Sequence, residues 1–444
     1  MSKNVRYETR PLECWDKAKA LRAKWQKSIG ESNNSKTALL AQGNTGPYDW
    51  SVGFSNFKII EDNPVGAMIA SKNDEFARQC RLASECRGWG RELCGYVQNC
   101  WGSQFLGHEA DGSPFPLRQM VVPIPSTCDQ HLKRGQQAMD FSPIPRWGSD
   151  FPCYLGPRDP EREKAMIDHR VQGYLTIIAD IERIFGIPFD DEKLIEVLEL
   201  RPKLEKLAQD VSWCMCHTPA PIGQKDLNSF YTMGMLTKVS PEETLDLWTS
   251  FRDEVRWRTD NQIAAVADEQ YRWMEAHPSP WHYLKYYRYL EQKYGAVCIG
   301  SQYTHLIAGP LELKEDGYIG PRDKVTPPEG QPVKTREDAL RWIYTDARFM
   351  HGFQEDEYNR PDAVVEFGKG FHVDGAIMPL WRGGVGCTRS RKNQGLLLSA
   401  AGIRVLHYEG SQPGDRTDMD ERRFLEQLDQ WMETQGVKPL ENYE

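Results

Sequence analysis

The chain has 444 residues, with 55 Lys and Arg against 64 Asp and Glu, a formal net charge of −9. Its 39% hydrophobic and 11% aromatic content supports sizeable cores and excludes wholesale disorder, and ~100–200 residues per domain gives about two to four structural units. An acidic chain with no long Lys/Arg block excludes nucleic-acid binding, and no apolar run approaches the ~18 residues of a membrane span.

In chain order, residues 10–29 (RPLECWDKAKALRAKWQKSI) have helical spacing that stops at Gly30, and the polar stretch 31–48 reads as a linker. Residues 1–45 are therefore expected to form an N-terminal helical arm. The polar start MSKNVRYETRPLECWDK carries no secretory leader, so a cytoplasmic protein is expected. Residues 46–158 read as a first α/β domain. A helical zone from 67 onward is broken by Gly88, Gly90 and Gly95; then MVVPIPST (120–127) reads as a strand, followed by Cys128 and a helix beginning near Asp129. Strand, sharp turn and capped helix make the βα unit of a parallel sheet.

Residues 159–280 have another character. The stretches 159–185, 190–214 and 241–277 are long, charged and periodic, and predict a helical subdomain. Residues 281–444 alternate again, as a second α/β domain. Its expected elements are a Tyr-rich helix over 281–294, a buried strand AVCIG (296–300) and helices over 335–350 and 361–371. A strand HVDGAIMP (372–379), a glycine-rich loop WRGGVG (381–386), a helix over 387–401, a strand IRVLHY (403–408) and a helix over 421–435 complete it. The expected fold class is α/β: two parallel-sheet domains with a helical subdomain.

Eleven cysteines occur, with no CxxC pair and no spacing of a zinc ribbon or bacterial ferredoxin run. In a chain with no export signal they do not read as a disulfide framework. Taken singly, a cysteine is ordinarily a small buried hydrophobe. Two of them, Cys128 and Cys387, fall where a strand of a parallel sheet gives way to a helix. Ligands bind at that edge, and a helix N-terminus favours a thiolate over its ~8.5 reference pKa. Thiolates are the soft ligands of iron–sulfur clusters. Spacing leaves a third ligand open among Cys80, Cys86, Cys94 and Cys100. Three ligands would leave one iron with an open position for a substrate oxygen, whereas four would favour electron transfer alone. No GxxxxGK[ST] or GxGxxG run offers a nucleotide site.

The segments ELCGYVQNCWGSQF, STCDQHLKR and VGCTRSRKNQGLLLSAAGIRVLHYEGSQPGDR resemble the 2-hydroxyacyl-CoA dehydratase / benzoyl-CoA reductase superfamily. The likeness spans roughly residues 45 to 435, and length and the QPGDR wording look most like the larger catalytic subunit of ATP-dependent (class I) benzoyl-CoA reductase. The resemblance implies two flavodoxin-like domains and a [4Fe-4S] cluster with three cysteine ligands, which fall on Cys94, Cys128 and Cys387, with Cys100 as the alternative to Cys94. It also implies a homologous second catalytic subunit, two ATPase subunits that use ATP and activate the electron, ferredoxin as donor, and benzoyl-CoA or a similar aromatic acyl-CoA as substrate. ATP is then not bound by this chain. The dehydratases set their last cysteine in an R-S-C-R-P run; Val-Gly-Cys-Thr-Arg here departs from that and favours the reductase. The alternatives are a 2-hydroxyacyl-CoA dehydratase subunit and an α/β scaffold subunit that holds no cluster.

Overall fold

A strand forms inside the stretch that reads as a linker. Strand β1 (Leu39–Gly43) pairs in parallel with β2 (Phe57–Glu61) on one side and β3 (Met120–Val121) on the other. The computed structural model describes residues 5–35, 38–43, 48–122, 144–147, 159–233, 240–275, 280–301, 304–305, 311–314, 316–321, 333–345, 361–382, 391–411, 417 and 419–443. The run LLAQG is too short to give a periodicity signal, and burial of Leu39 and Leu40 comes from its neighbours in the sheet. The strand lies ahead of residue 46, the expected start of the first α/β segment.

Helix α1 (Trp15–Asn33) precedes this sheet, and α2 (Asp62–Lys72), α3 (Asp74–Glu85) and α4 (Gly95–Leu106) follow β2. Asn73 caps α3 by accepting from the Phe76 N–H at 3.0 Å. Two glycines let α4 nest against its neighbours. A Cβ at Gly66 of α2 would lie 2.1 Å from the Tyr96 carbonyl oxygen, and one at Gly102 would lie 2.1 Å from the Cys80 carbonyl oxygen. Only glycine permits such backbone approach.

The helices expected over 159–280 have no common core of their own among the described residues. Helices α5 (Pro160–Phe185) and α6 (Asp191–Glu199) pack on the first sheet, where Tyr174, Ile178 and Leu194 meet Leu39, Trp50, Phe57 and Met120. Helix α7 (Arg201–Cys214) separates from α6 at Leu200, just before Pro202, which cannot donate to a continuous helix. With α8 (Gln224–Met233), α9 (Pro241–Asp260) and α1, it packs on the second sheet.

That sheet begins earlier than the sequence suggests. The helix expected over 241–277 ends at Asp260, and Tyr271–Glu275 is strand β4, ahead of the residue-281 boundary. The run YRWME looks like a solvated helix face because it carries Arg and Glu, yet all five residues are buried. Arg272 is accommodated by an ion pair to Glu269 at 2.6 Å and by donating to the carbonyls of Met215 (2.6 Å) and His217 (3.0 Å).

A 3-10 turn, Trp281–Tyr283, and helix α10 (Lys285–Tyr294) lead to β5 (Ala296–Ser301). An antiparallel hairpin of β6 (Leu311–Leu313) and β7 (Ile319–Pro321) comes next. Helix α11 (Arg336–Thr345) joins the first core and α12 (Pro361–Gly370) the second. Strand β8 (Gly375–Arg382), helix α13 (Arg391–Ala400), strand β9 (Arg404–Ser411) and helix α14 (Glu421–Glu433) close the chain. The second sheet is parallel throughout, in the order β5–β4–β8–β9.

Both sheets thus place their second strand, first strand and third strand side by side, as flavodoxin-like sheets do. The α/β class with two parallel sheets is the one the sequence suggests. Among the described residues no helix is long and apolar enough to cross a membrane.

Candidate functional site

In sheets of this order the connections part to opposite sides between the first and third strands, and ligands bind beyond the carboxyl ends there. The two such places are between β1 and β3 and between β4 and β8. In sequence, Cys128 comes after β3 and Cys387 after β8. Both cysteines lie outside the described residues, as do the glycine-rich loop 383–386, the expected helix after Asp129 and residues 412–416 of the EGSQPGDR segment.

Cys94 is described, and it is the N-cap residue of α4. Its backbone is extended (φ −57°, ψ 123°), and its carbonyl accepts the Gln98 N–H at 3.0 Å to begin the helix. The sulfur makes no capping bond to the first-turn N–H groups, and the residue is 3% exposed. It packs with Leu93, Tyr96, Val97 and Trp101, and the side chains of Trp89 and Trp281 close over this group. The Trp89 and Trp101 rings are 4.5 Å apart at 52°. The thiol thus lies at a helix N-terminus inside an aromatic wall that shields it from water.

The other cysteines nearby have different surroundings. Cys100 and Cys80 are fully buried together with Val65, Ile69, Phe76, Ala77 and Phe115, and they fill the core between the helices. Burial raises the Cys80 thiol far above its ordinary pKa, so it stays protonated. Cys86 is exposed at the C-terminal end of α3. Of these four candidates, Cys94 is the one at a helix start.

The loop that precedes Cys94 is fixed by a residue the sequence does not single out. Gln98 donates its amide N–H groups to the carbonyls of Trp89 (3.1 Å) and Gly90 (2.5 Å), and its Oε1 accepts from Arg81 Nε at 3.0 Å. The Ser84 hydroxyl donates to the Gln98 carbonyl at 3.0 Å. A polar residue inside α4 gives no sequence signal of this, because its partners belong to a loop.

Two contacts bring the second half of the chain to this loop. Trp281, in the turn that follows β4, packs against the Cys94 group. Arg91 Nη1 donates to the Thr417 hydroxyl at 2.8 Å, while its Nε bonds Glu85. Thr417 directly follows the EGSQPGDR segment. The loop bearing Cys94 is therefore tied to both halves. Among the described residues no three His, Cys, Asp or Glu side chains are placed to hold a metal ion.

The family model for the 2-hydroxyglutaryl-CoA dehydratase D-component matches residues 77–434, well over half of the chain. No curated protein matches the chain. The matched span contains Cys94, Cys128 and Cys387, all of β3, β4 and β8, and the Arg91 and Thr417 contact. The chain belongs to the 2-hydroxyglutaryl-CoA dehydratase D-component family, and so to the 2-hydroxyacyl-CoA dehydratase / benzoyl-CoA reductase superfamily of enzyme subunits.

Proposed function

We propose that this chain is the larger catalytic subunit of an ATP-dependent, ferredoxin-driven benzoyl-CoA reductase, with Cys94, Cys128 and Cys387 as ligands of a [4Fe-4S] cluster. The observation that carries the reading is Cys94. It sits at the start of α4, walled by aromatic side chains from both halves, and the other two cysteines each follow the third strand of a parallel sheet in sequence. The family in general binds a [4Fe-4S] cluster and works with activator subunits. Three thiolates suit that group, and the buried Cys94 thiol fits as one of them.

A cluster held by Cys94, Cys128 and Cys387 would supply single electrons for reduction of the thioester-activated ring to a cyclic diene. The rest falls to the chain's own residues. Gln98 and Arg81 hold the loop ahead of Cys94, and Trp89, Trp101 and Trp281 keep water from it. ATP hydrolysis and delivery of the electron belong to partner subunits, and a homologous subunit completes the catalytic pair. We take the two parallel sheets as the cores of two α/β domains, in a cytoplasmic protein.

A second reading is favoured by the matched family's description, which is that of a dehydratase. In that case the enzyme is a lyase that eliminates water from a 2-hydroxyacyl-CoA and recycles its electron. The test is anaerobic co-purification with the partner subunit, followed by reductant, ATP and either benzoyl-CoA or a 2-hydroxyacyl-CoA. The reductase consumes electrons at every turnover, and the dehydratase does not. Protein without iron, sulfide and a broad brown absorbance would sink both and leave a scaffold subunit. A scaffold would also keep the activity of its complex when Cys128 or Cys387 is replaced by Ala.

A further inference from the structure

Strand β4 ends on Glu275, at the carboxyl edge of the second sheet beside β8, where the chain connections part. Alternate strand residues share a face, so Glu275 points with Tyr271 and Trp273 into the aromatic core of Tyr283, Tyr287 and Tyr408. It is 3% exposed. The Tyr286 hydroxyl, from α10, donates to Glu275 Oε1. Burial first, and the nearby Glu275 carboxyl second, hold the Tyr286 phenol well above its usual pKa. The same two causes raise the Tyr408 phenol of β9 and the Cys298 thiol of β5. Three other elements, α10, β9 and β5, thus place proton-bearing groups near one buried carboxyl, and Tyr286 of α10 hydrogen-bonds it directly. An apolar pair of the same shape would fill this core without the desolvation cost. The chain leaving Glu275 also reaches Trp281, which packs against the Cys94 group.

We propose that Glu275, with Tyr286 as its hydrogen-bond partner, is the proton relay of the acyl-CoA site. The inference rests on the functional reading above but not on the choice between its two reactions, since both need a delivered proton. In dehydration the substrate C–O bond breaks with its electron pair on the departing hydroxyl, which takes the proton of the Glu275 O–H bond to give water. In ring reduction a C–H bond forms instead, on a ring carbon that has taken its electron from the low-potential donor. In each case the electron pair of the broken O–H bond stays on Glu275 as carboxylate, which the Tyr286 hydroxyl stabilises, and a solvent proton restores the acid.

The experiment uses the anaerobic complex with its partner subunit, carrying wild-type chain, Glu275→Gln or Tyr286→Phe. Infrared difference spectra on adding benzoyl-CoA or a 2-hydroxyacyl-CoA should show a carboxyl C=O band sensitive to D2O. The band should vanish in Glu275→Gln and move in Tyr286→Phe. Turnover should fall about 100-fold or more in Glu275→Gln, with KM within about threefold. A band that persists in Glu275→Gln, or a Glu275→Gln kcat within about threefold of wild type, overturns the relay alone. If Glu275→Gln fails to assemble, the Tyr286→Phe band decides: a displaced band supports the relay and an unmoved one overturns it. A wild-type complex that turns over neither acyl-CoA overturns the functional reading, and the relay with it.

Discussion

Arg91 Nη1 and the Thr417 hydroxyl meet at 2.8 Å, across 326 residues of sequence. One belongs to the loop ahead of Cys94, the other to the chain just beyond the EGSQPGDR segment. A half-exposed hydrogen bond contributes only about 0.5–1.5 kcal/mol, so its importance is positional. Thr417→Val should leave the thermal midpoint nearly unchanged while amide hydrogen exchange over residues 87–93 becomes faster. Exchange at the wild-type rate would mean that the loop is held without this contact.

Gln98 is the stronger anchor. It is fully buried and bridges Arg81 to two loop carbonyls. Hydrogen bonds to charged groups are each worth about 1.5–3 kcal/mol, and the stranded carbonyls add to the loss. Gln98→Leu should therefore destabilise the protein by about 3 kcal/mol in a denaturant titration. In the anaerobic complex it should also lower iron content, a readout that a loss of core packing elsewhere would not share. Gly102→Ala, next on the same helix face toward α3, supplies the comparison.

That substitution would force a methyl group to within 2.1 Å of the Cys80 carbonyl oxygen, which is backbone and cannot swing away. Overpacking of this kind costs about 1–3 kcal/mol. Gly173, inside α5, has nothing within 4 Å of its Cβ position. Gly173→Ala should instead stabilise by about 0.5–1 kcal/mol through helix propensity. Opposite shifts in midpoint for two Gly→Ala changes would confirm that α3 and α4 are clamped; equal shifts would refute it.

The fold was legible where elements are long or apolar. Strands β5, β8 and β9 and helix α14 appear within a few residues of their expected places, because AVCIG, GAIMP and RVLHY have the apolar runs of buried strands. Strand β4 was hidden by Arg272 and Glu275, whose burial depends on Glu269, the Met215 carbonyl and Tyr286, partners distant in sequence or unmarked by any pattern. Strand β1 was hidden by its length. At the candidate site, spacing could not separate Cys94 from Cys80, Cys86 and Cys100; the family resemblance points to Cys94, with Cys100 as the alternative. The surroundings of the four differ only once α3 and α4 are packed, with Cys80 and Cys100 turned into their shared core. Gln98 and Glu275 are illegible for the same reason as β4: their partners exist only in the folded chain.

His305 supplies a pH test of the second core. Its ring is fully buried, stacked on Phe367 at 5.1 Å, and its Nε2 donates to the Ile299 carbonyl at 3.3 Å. Burial pushes its pKa down to about 4, against the partial offset of that hydrogen bond. An unfolded histidine takes up its proton near pH 6.5, whereas the folded one resists until about pH 4. The unfolded state therefore binds more protons between those values, and stability falls as pH drops through this window. The loss should approach about 3 kcal/mol by pH 4. His305→Gln cannot titrate, so its stability should vary less over the same range even if it is lower at pH 7. Parallel pH profiles for the two proteins would show that His305 is already protonated in the fold, or reaches solvent, and would remove the buried neutral ring from the description of this core.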